Sequence, residues 1–230
     1  LFLCCIAMLL FLSIFPISFD NNDDQAMFAI SSGIFSKIES PNLILTNVIL
    51  GKSLHQLFHL SKKINWYTLY LQLVQMLSFI AIVVLLIKRN SLSLFASIGI
   101  ILILFFGFYS LSIVKLQFTT VALLCCFTAL FYLQSDINRF HKYIIVLVFI
   151  TLSILIRKDC FYIFALFCLP ILISRLKDKV FIVHTFYVLL ITGFIFIACK
   201  MFNNYQPIYQ QQQTYTHVNG LDIIAGKPIE

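Results

Sequence analysis

Two stretches of the chain, Ser91 to Val114 and Leu116 to Ser135, contain no charged side chain. Each is as long as the roughly 20 residues an α-helix needs to cross a hydrocarbon core about 30 Å thick. A transmembrane β-barrel is excluded by the same runs, because its strands alternate apolar and polar over about ten residues. Further apolar stretches at 1–19, 66–87, 143–156, 160–174 and 180–201 complete the pattern. The expected fold is all-α, a polytopic membrane helical bundle of about seven transmembrane helices. A cleaved signal peptide is the alternative for 1–19, although no small-x-small cleavage site precedes Asp20.

Composition supports the same class: 61% of the residues are hydrophobic and 11% charged, against roughly 45–50% and 25% in soluble domains. The net charge of +7 does not point to nucleic acid, because the bases lie in small groups flanking apolar runs, as membrane-surface anchors do. Cys4–Cys5 and Cys125–Cys126 sit inside apolar runs without metal-site spacing, so they read as small packing residues. The chain opens on Leu1 within an apolar run and is expected to be a piece of a longer protein.

Short loops set the orientation. Lys88 and Arg89, Arg139 and Lys142, then Arg175, Lys177 and Lys179 occupy alternate connections and mark the cytoplasmic side. The loop from Asp20 to Asn65 and the tail after Met201 are then external, and the N-terminus is cytoplasmic. The runs 143–156 and 160–174 would reach only about 21–23 Å as helices. The alternative, one long helix with Arg157, Lys158 and Asp159 near its middle, would bury charge at a cost of several kcal/mol each and break the charge pattern. Two spans, extended by snorkelling of the flanking bases, are expected. Residues 1–201 form the expected transmembrane domain, and 202–230 begin an external C-terminal segment.

The external loop opens with Asp20-Asn21-Asn22-Asp23-Asp24, which holds three of the chain's nine acidic residues. Against an apolar surface such carboxylates repel one another, so at least one is expected to have the raised pKa that suits a general base. Asp23 and Asp24 together would also suit a divalent cation, Mg or Mn, with water completing its shell. A plain helix-capping acidic turn, with a helix from about Asp24 to Gly33, accounts for the same pattern.

Downstream, Lys52, His55, Gln56, His59 and Lys63 lie opposite Leu50, Leu54, Leu57 and Phe58. That spacing predicts an amphipathic helix along the membrane surface. His55 and His59 are one turn apart, with no carboxylate to complete a His-Glu-x-x-His motif. Trp66 and Tyr67 open the next span as an aromatic pair at headgroup level. Gln72 and Gln75 are expected to hydrogen-bond to neighbouring helices. Lys115, Arg157 and Lys158 are placed to neutralise a phosphate or to anchor lipid headgroups. The Tyr205 to Tyr215 stretch, which includes Tyr209, carries rings and amides that suit sugar binding or simply a low-complexity loop.

In the order of these features the chain resembles the GT-C-type multi-pass glycosyltransferases, and more narrowly bacterial membrane proteins of that architecture. The likeness rests on Asn22-Asp23-Asp24-x-x-Met27, Ser32-Gly33, then Pro41, Asn47 and Gly51, then Trp66-Tyr67, Gln117-Phe118-Thr119-Thr120 and Ile156-Arg157. It implies an enzyme of the cytoplasmic membrane that transfers sugar from a polyprenyl-phosphate-linked donor to an envelope polysaccharide or glycolipid. The catalytic carboxylate would be Asp23 or Asp24. Asp20, Trp66, Tyr67, Tyr205 and Tyr209 would contact substrate, and Arg157, Lys158 or Lys115 would meet the donor phosphate. A polysaccharide polymerase or lipid-linked sugar exporter is the first rival. A solute transporter, which would want charged or broken helices at midplane, is the second.

Overall fold

Polar punctuation sets the helix boundaries in the computed structural model. It describes residues 13–20, 22–34, 41–43, 45–88, 93–135 and 139–204, with the backbone alone given at Asn22, Leu94, Arg139, Phe140 and Asn204. Helix α1 (Asn22–Ser32) carries Asp23 and Asp24 in its first turn, where the partial positive charge of a helix start favours acids. It stops before Gly33, whose φ of 70° is left-handed and suits a residue without a Cβ. Helix α2 (Val48–Leu60) is capped by Asn47, whose side-chain oxygen accepts the Ile49 N–H at 2.9 Å.

Helix α3 (Trp66–Ile87) starts at Asn65, whose side chain accepts the Thr68 N–H at 3.0 Å. Helix α4 starts at Leu94, capped by Ser93, and runs through a π-helical turn, Phe105–Tyr109, to Val114. Then follow α5 (Phe118–Gln134), α6 (Arg139–Ile156), α7 (Cys160–Ser174) and α8 (Lys179–Asn204). The described residues are helical or connecting apart from a parallel pair of two-residue strands, β1 (Ser18–Phe19) and β2 (Lys115–Leu116).

Trp66–Ile87, Phe95–Val114 and Lys179–Asn203 are long and apolar enough to cross a membrane. Their outward faces carry large apolar side chains, with Phe95 86%, Ile103 73% and Phe194 73% exposed. Water would not tolerate an apolar surface of this extent, so these helices suggest a membrane protein. Among the described residues the expected count of seven spans is not reached. Helices α5, α6 and α7 are apolar but have 17, 18 and 15 residues, so they reach about 22–27 Å. Most of the expected 1–19 span lies outside the described residues, and its end at 18–19 is strand rather than helix.

Residues 143–174 form two helices, not one, and Arg157, Lys158 and Asp159 make the turn between them. The first begins at Arg139, earlier than expected, because the basic residues before Tyr143 continue the helix. The last helix likewise runs past 201 to Asn204.

Helix α5 is the centre of the packing. Its Val121, Ala122, Cys125, Cys126, Ala129 and Leu133 are fully buried, and the small side chains allow neighbouring backbones to approach closely. Ser153 Oγ donates to the Ala122 carbonyl at 2.7 Å, and Tyr132 OH to the Ala81 carbonyl at 2.9 Å, so α6 and α3 are both bonded to, or through, this helix. Gln75 Nε2 donates to Ser112 Oγ across α3 and α4, the interhelical role expected of it. Gln72 Nε2 is buried without a hydrogen-bond partner.

From α3 to α8 the helices alternate in direction, so the connections fall at two ends. At one end Lys142 Nζ donates to the Ser135 carbonyl and Arg175 Nη2 to that of Gln134. At the other, the Asn47 N–H donates to the Leu155 carbonyl at 2.9 Å and the Asp20 N–H to that of Leu116 at 3.0 Å. The acidic turn, the 115–117 connection and the 157–159 turn therefore belong to the same end.

Candidate functional site

The short β1–β2 pairing, Ser18 with Lys115 and Phe19 with Leu116, fixes where α1 begins. With its backbone pinned there, α1 points Asp24 inward and leaves Asp20 and Asp23 exposed. Asp24 is completely buried. Its Oδ1 accepts two hydrogen bonds, from Tyr67 OH at 2.7 Å and from the Phe118 N–H at 3.1 Å. Its Oδ2 is buried with no hydrogen-bond partner.

Burial pushes the Asp24 carboxyl up to about 6, from an ordinary value of 3.8, despite the opposing pull of the two donors. Asp23 and Asp20 push it in the same upward direction by repulsion. The expected raised carboxyl is therefore present, and it is Asp24. The expected capping turn is present too, but only as a location in the first turn of α1, because the Asp24 side chain bonds across the fold rather than along its own helix.

Tyr67 differs from the expected surface anchor. It is fully buried, its hydroxyl is spent on Asp24, and its ring lies 6.0 Å from that of Phe19. Met27 is buried against the same hydroxyl, with Sδ at 3.8 Å. Trp66 is half-buried and donates from Nε1 to the Ser61 carbonyl at 2.8 Å, closing the turn that leads from α2 into α3.

The basic residues separate into two groups. Arg157 is half-buried, donates to Thr119 Oγ1, lies 5.5 Å from the centre of the Phe118 ring and pairs with Asp159 at 3.6 Å. Together with Lys158, Asn47 and Asn203 it lines a polar cleft of about 60 Å³. Lys115 is exposed on β2 and is not among the residues that line it. Ligand pockets usually measure about 300–1,000 Å³, so the cleft has room for a few waters or one small anionic group, and a sugar would have to lie on open surface.

Phe118 joins the two halves of the site. Its backbone N–H holds Asp24 and its ring underlies Arg157. Phe118 and Thr119 stand within a motif quoted for the resemblance but had no assigned role, since a backbone donor leaves no mark in a sequence. Asn203 gave no sequence signal. Its Oδ1 accepts the Val48 N–H at 3.2 Å, while Asn47 Nδ2 donates to the Cys199 carbonyl at 3.4 Å, so the two amides tie the start of α2 to the end of α8.

Asp23 and Asp24 do not fit a shared Mg or Mn site. One carboxylate is exposed, while the other is buried with Oδ1 already accepting two bonds. Among the described residues no three His, Cys, Asp or Glu side chains gather as a metal site. His55 and His59 make an edge-on ring pair at 4.6 Å on the outer side of α2. Tyr205 and Tyr209 lie outside the described residues. Comparison with protein-family models, curated proteins and solved structures found no match.

Proposed function

We propose that the chain is the membrane-embedded part of a glycosyltransferase that moves a sugar from a polyprenyl-phosphate-linked donor to an envelope polysaccharide or glycolipid. One observation carries the reading: Phe118 brings the acidic turn and Arg157 to one end of the bundle. Displacement at an anomeric carbon needs a carboxylate for the incoming hydroxyl and a cation for the departing phosphate. In this reading Asp23, which is exposed, is the base. It takes the proton of the acceptor hydroxyl as that oxygen bonds to the anomeric carbon, the bond to the phosphate oxygen breaks, and configuration inverts.

Arg157 and Lys158 meet the charge that grows on the phosphate, and their cleft has the size for such a group. Asp24 is the positioning residue: fully buried, it holds α1 against α3 and α5 rather than meeting substrate. The proposed setting is a bacterial cytoplasmic membrane, with the N-terminus inside and the acidic end outside. The shorter helices α5, α6 and α7 also cross in this reading, with flanking bases making up the length.

The test uses membranes carrying the full chain and a labelled polyprenyl-phosphate hexose. Asp23→Asn is expected to reduce transfer by about 10²-fold or more, the usual contribution of a general base, without changing the amount of inserted protein. Undiminished transfer by that variant overturns Asp23 as base, undiminished transfer by an Asp23→Asn/Asp24→Asn double variant overturns the acidic turn as the catalytic site, and no transfer by the parent chain overturns the enzyme reading.

A transporter is the second reading, and the interruption of α4 favours it. The π-helical turn Phe105–Tyr109 ends on buried Tyr109, and buried Gln75 bonds to Ser112 just beyond it; such turns often mark functional sites. Solute flux in proteoliposomes that is abolished by Gln75→Leu, with no sugar transfer by the parent chain, would establish that reading instead.

A further inference from the structure

At the end of the bundle away from the acidic turn, a groove of about 390 Å³ opens between α5 and α7. Phe127, Phe131, Phe167 and Pro170 are among its walls, and the Phe127 and Phe167 rings meet edge to face at 6.1 Å. Pro170 lies inside α7, where it has no N–H to give the carbonyl of Leu166, so the helix is locally freed on this side. Only Gln134 and Ser174, at the helix ends, bring polar groups to the lining, and they mark a mouth.

The mouth is basic. Arg175 Nη2 donates to the Gln134 carbonyl at 2.8 Å, and its guanidinium lies 5.1 Å from the centre of the Phe181 ring, which holds it beside the opening. Lys177 and Lys179 are exposed next to it. The acid among them, Asp178, accepts the Phe181 N–H at 3.0 Å. From Phe127 to Gln134 the groove runs about 10 Å along the helix.

We propose that this groove holds one acyl chain of an anionic phospholipid, with the headgroup phosphate at Arg175. An apolar groove that ends under a cluster of cations matches an amphiphile with a negative head. A free phosphate would leave the groove unused, and a zwitterionic lipid would gain less from the bases. The site is at the opposite end from the acidic turn and does not depend on the transferase reading.

The full chain, purified in mild detergent, is mixed with equal amounts of phosphatidylglycerol and phosphatidylcholine of identical acyl chains, and bound lipid is read by native mass spectrometry. The expected result is retained phosphatidylglycerol at about fivefold over phosphatidylcholine, the preference one basic residue at a membrane surface supplies. Arg175→Gln should keep a lipid adduct but lose the preference. Leu130→Trp, which fills the groove from within, should lose the adduct, and Ser174→Phe, which blocks the exposed mouth, should do so without touching the core. Equal retention of the two lipids by the parent chain overturns the proposal, as does an unchanged adduct in Ser174→Phe. So does a dimer, broken by either groove variant, that shows no lipid preference.

Discussion

Asp24 sets the chemistry of its surroundings through a conflict between burial and charge. Its carboxyl is held near 6 in the folded chain, whereas an unfolded aspartate titrates near 3.8. The folded state thus keeps its proton where the unfolded state has lost it. Stability linked to this group is greatest below about 4, falls as pH rises from about 4 to 6, and is level above that. Denaturation in detergent across that interval should show the fall, and Asp24→Asn should remove it.

Tyr67→Phe deletes one of the two donors to Asp24 Oδ1 and should destabilise by about 1–3 kcal/mol, the cost of a buried polar group losing its partner. It should also raise the pKa further, moving the end of the stability slope to higher pH. Gly51 is equally constrained: a Cβ there would stand 1.8 Å from the Pro41 carbonyl oxygen. Gly51→Ala must displace backbone and should cost at least about 1–3 kcal/mol, measurable as a lower unfolding temperature.

At the level of elements, α2 follows its sequence closely. Val48, Leu50, Leu54 and Phe58 are buried, while Lys52, Gln56 and His59 are exposed, as the three-and-four spacing requires. What the spacing does not encode is the destination of the apolar face. That depends on Asn47, Asn203 and the Leu155 carbonyl, which come from three separate parts of the chain. Asn47→Ala should loosen α2 and speed hydrogen exchange from Val48 to Leu54, with α3 to α5 unchanged. A uniform loss of protection would instead mean that α2 is integral to the bundle. The start of α1 shows the same division. Three acids before an apolar run predict a helix start, but which acid turns inward is decided by the β1–β2 pairing, almost a hundred residues apart in the chain.

For the whole molecule, apolar runs were legible because hydrocarbon demands continuous hydrophobicity. Their number was less so. Helices α5, α6 and α7 are short, and a sequence window does not reveal how far flanking bases reach. Bonds between helix ends fall into two groups, with Arg175 and Lys142 at one end and Arg157 at the other. If all six helices from α3 to α8 cross, Lys62→Cys should react with an impermeant thiol reagent from outside intact cells, above the parent chain's own labelling. Lys177→Cys should react only after permeabilisation. The reverse pattern inverts the orientation, and equal labelling of both means that the two ends share a side.

The bond between Asp24 and Phe118 also has a cost in time. The donor lies 94 residues after the carboxylate, and at roughly 5–20 residues per second a ribosome needs on the order of 5–20 seconds to supply it. Asn47 waits longer still, for Cys199, 152 residues downstream. During synthesis the acidic turn and α2 must therefore wait to complete these bonds while the helices between are made, and a ribosome-stalled chain ending before Phe118 should leave this loop open to protease.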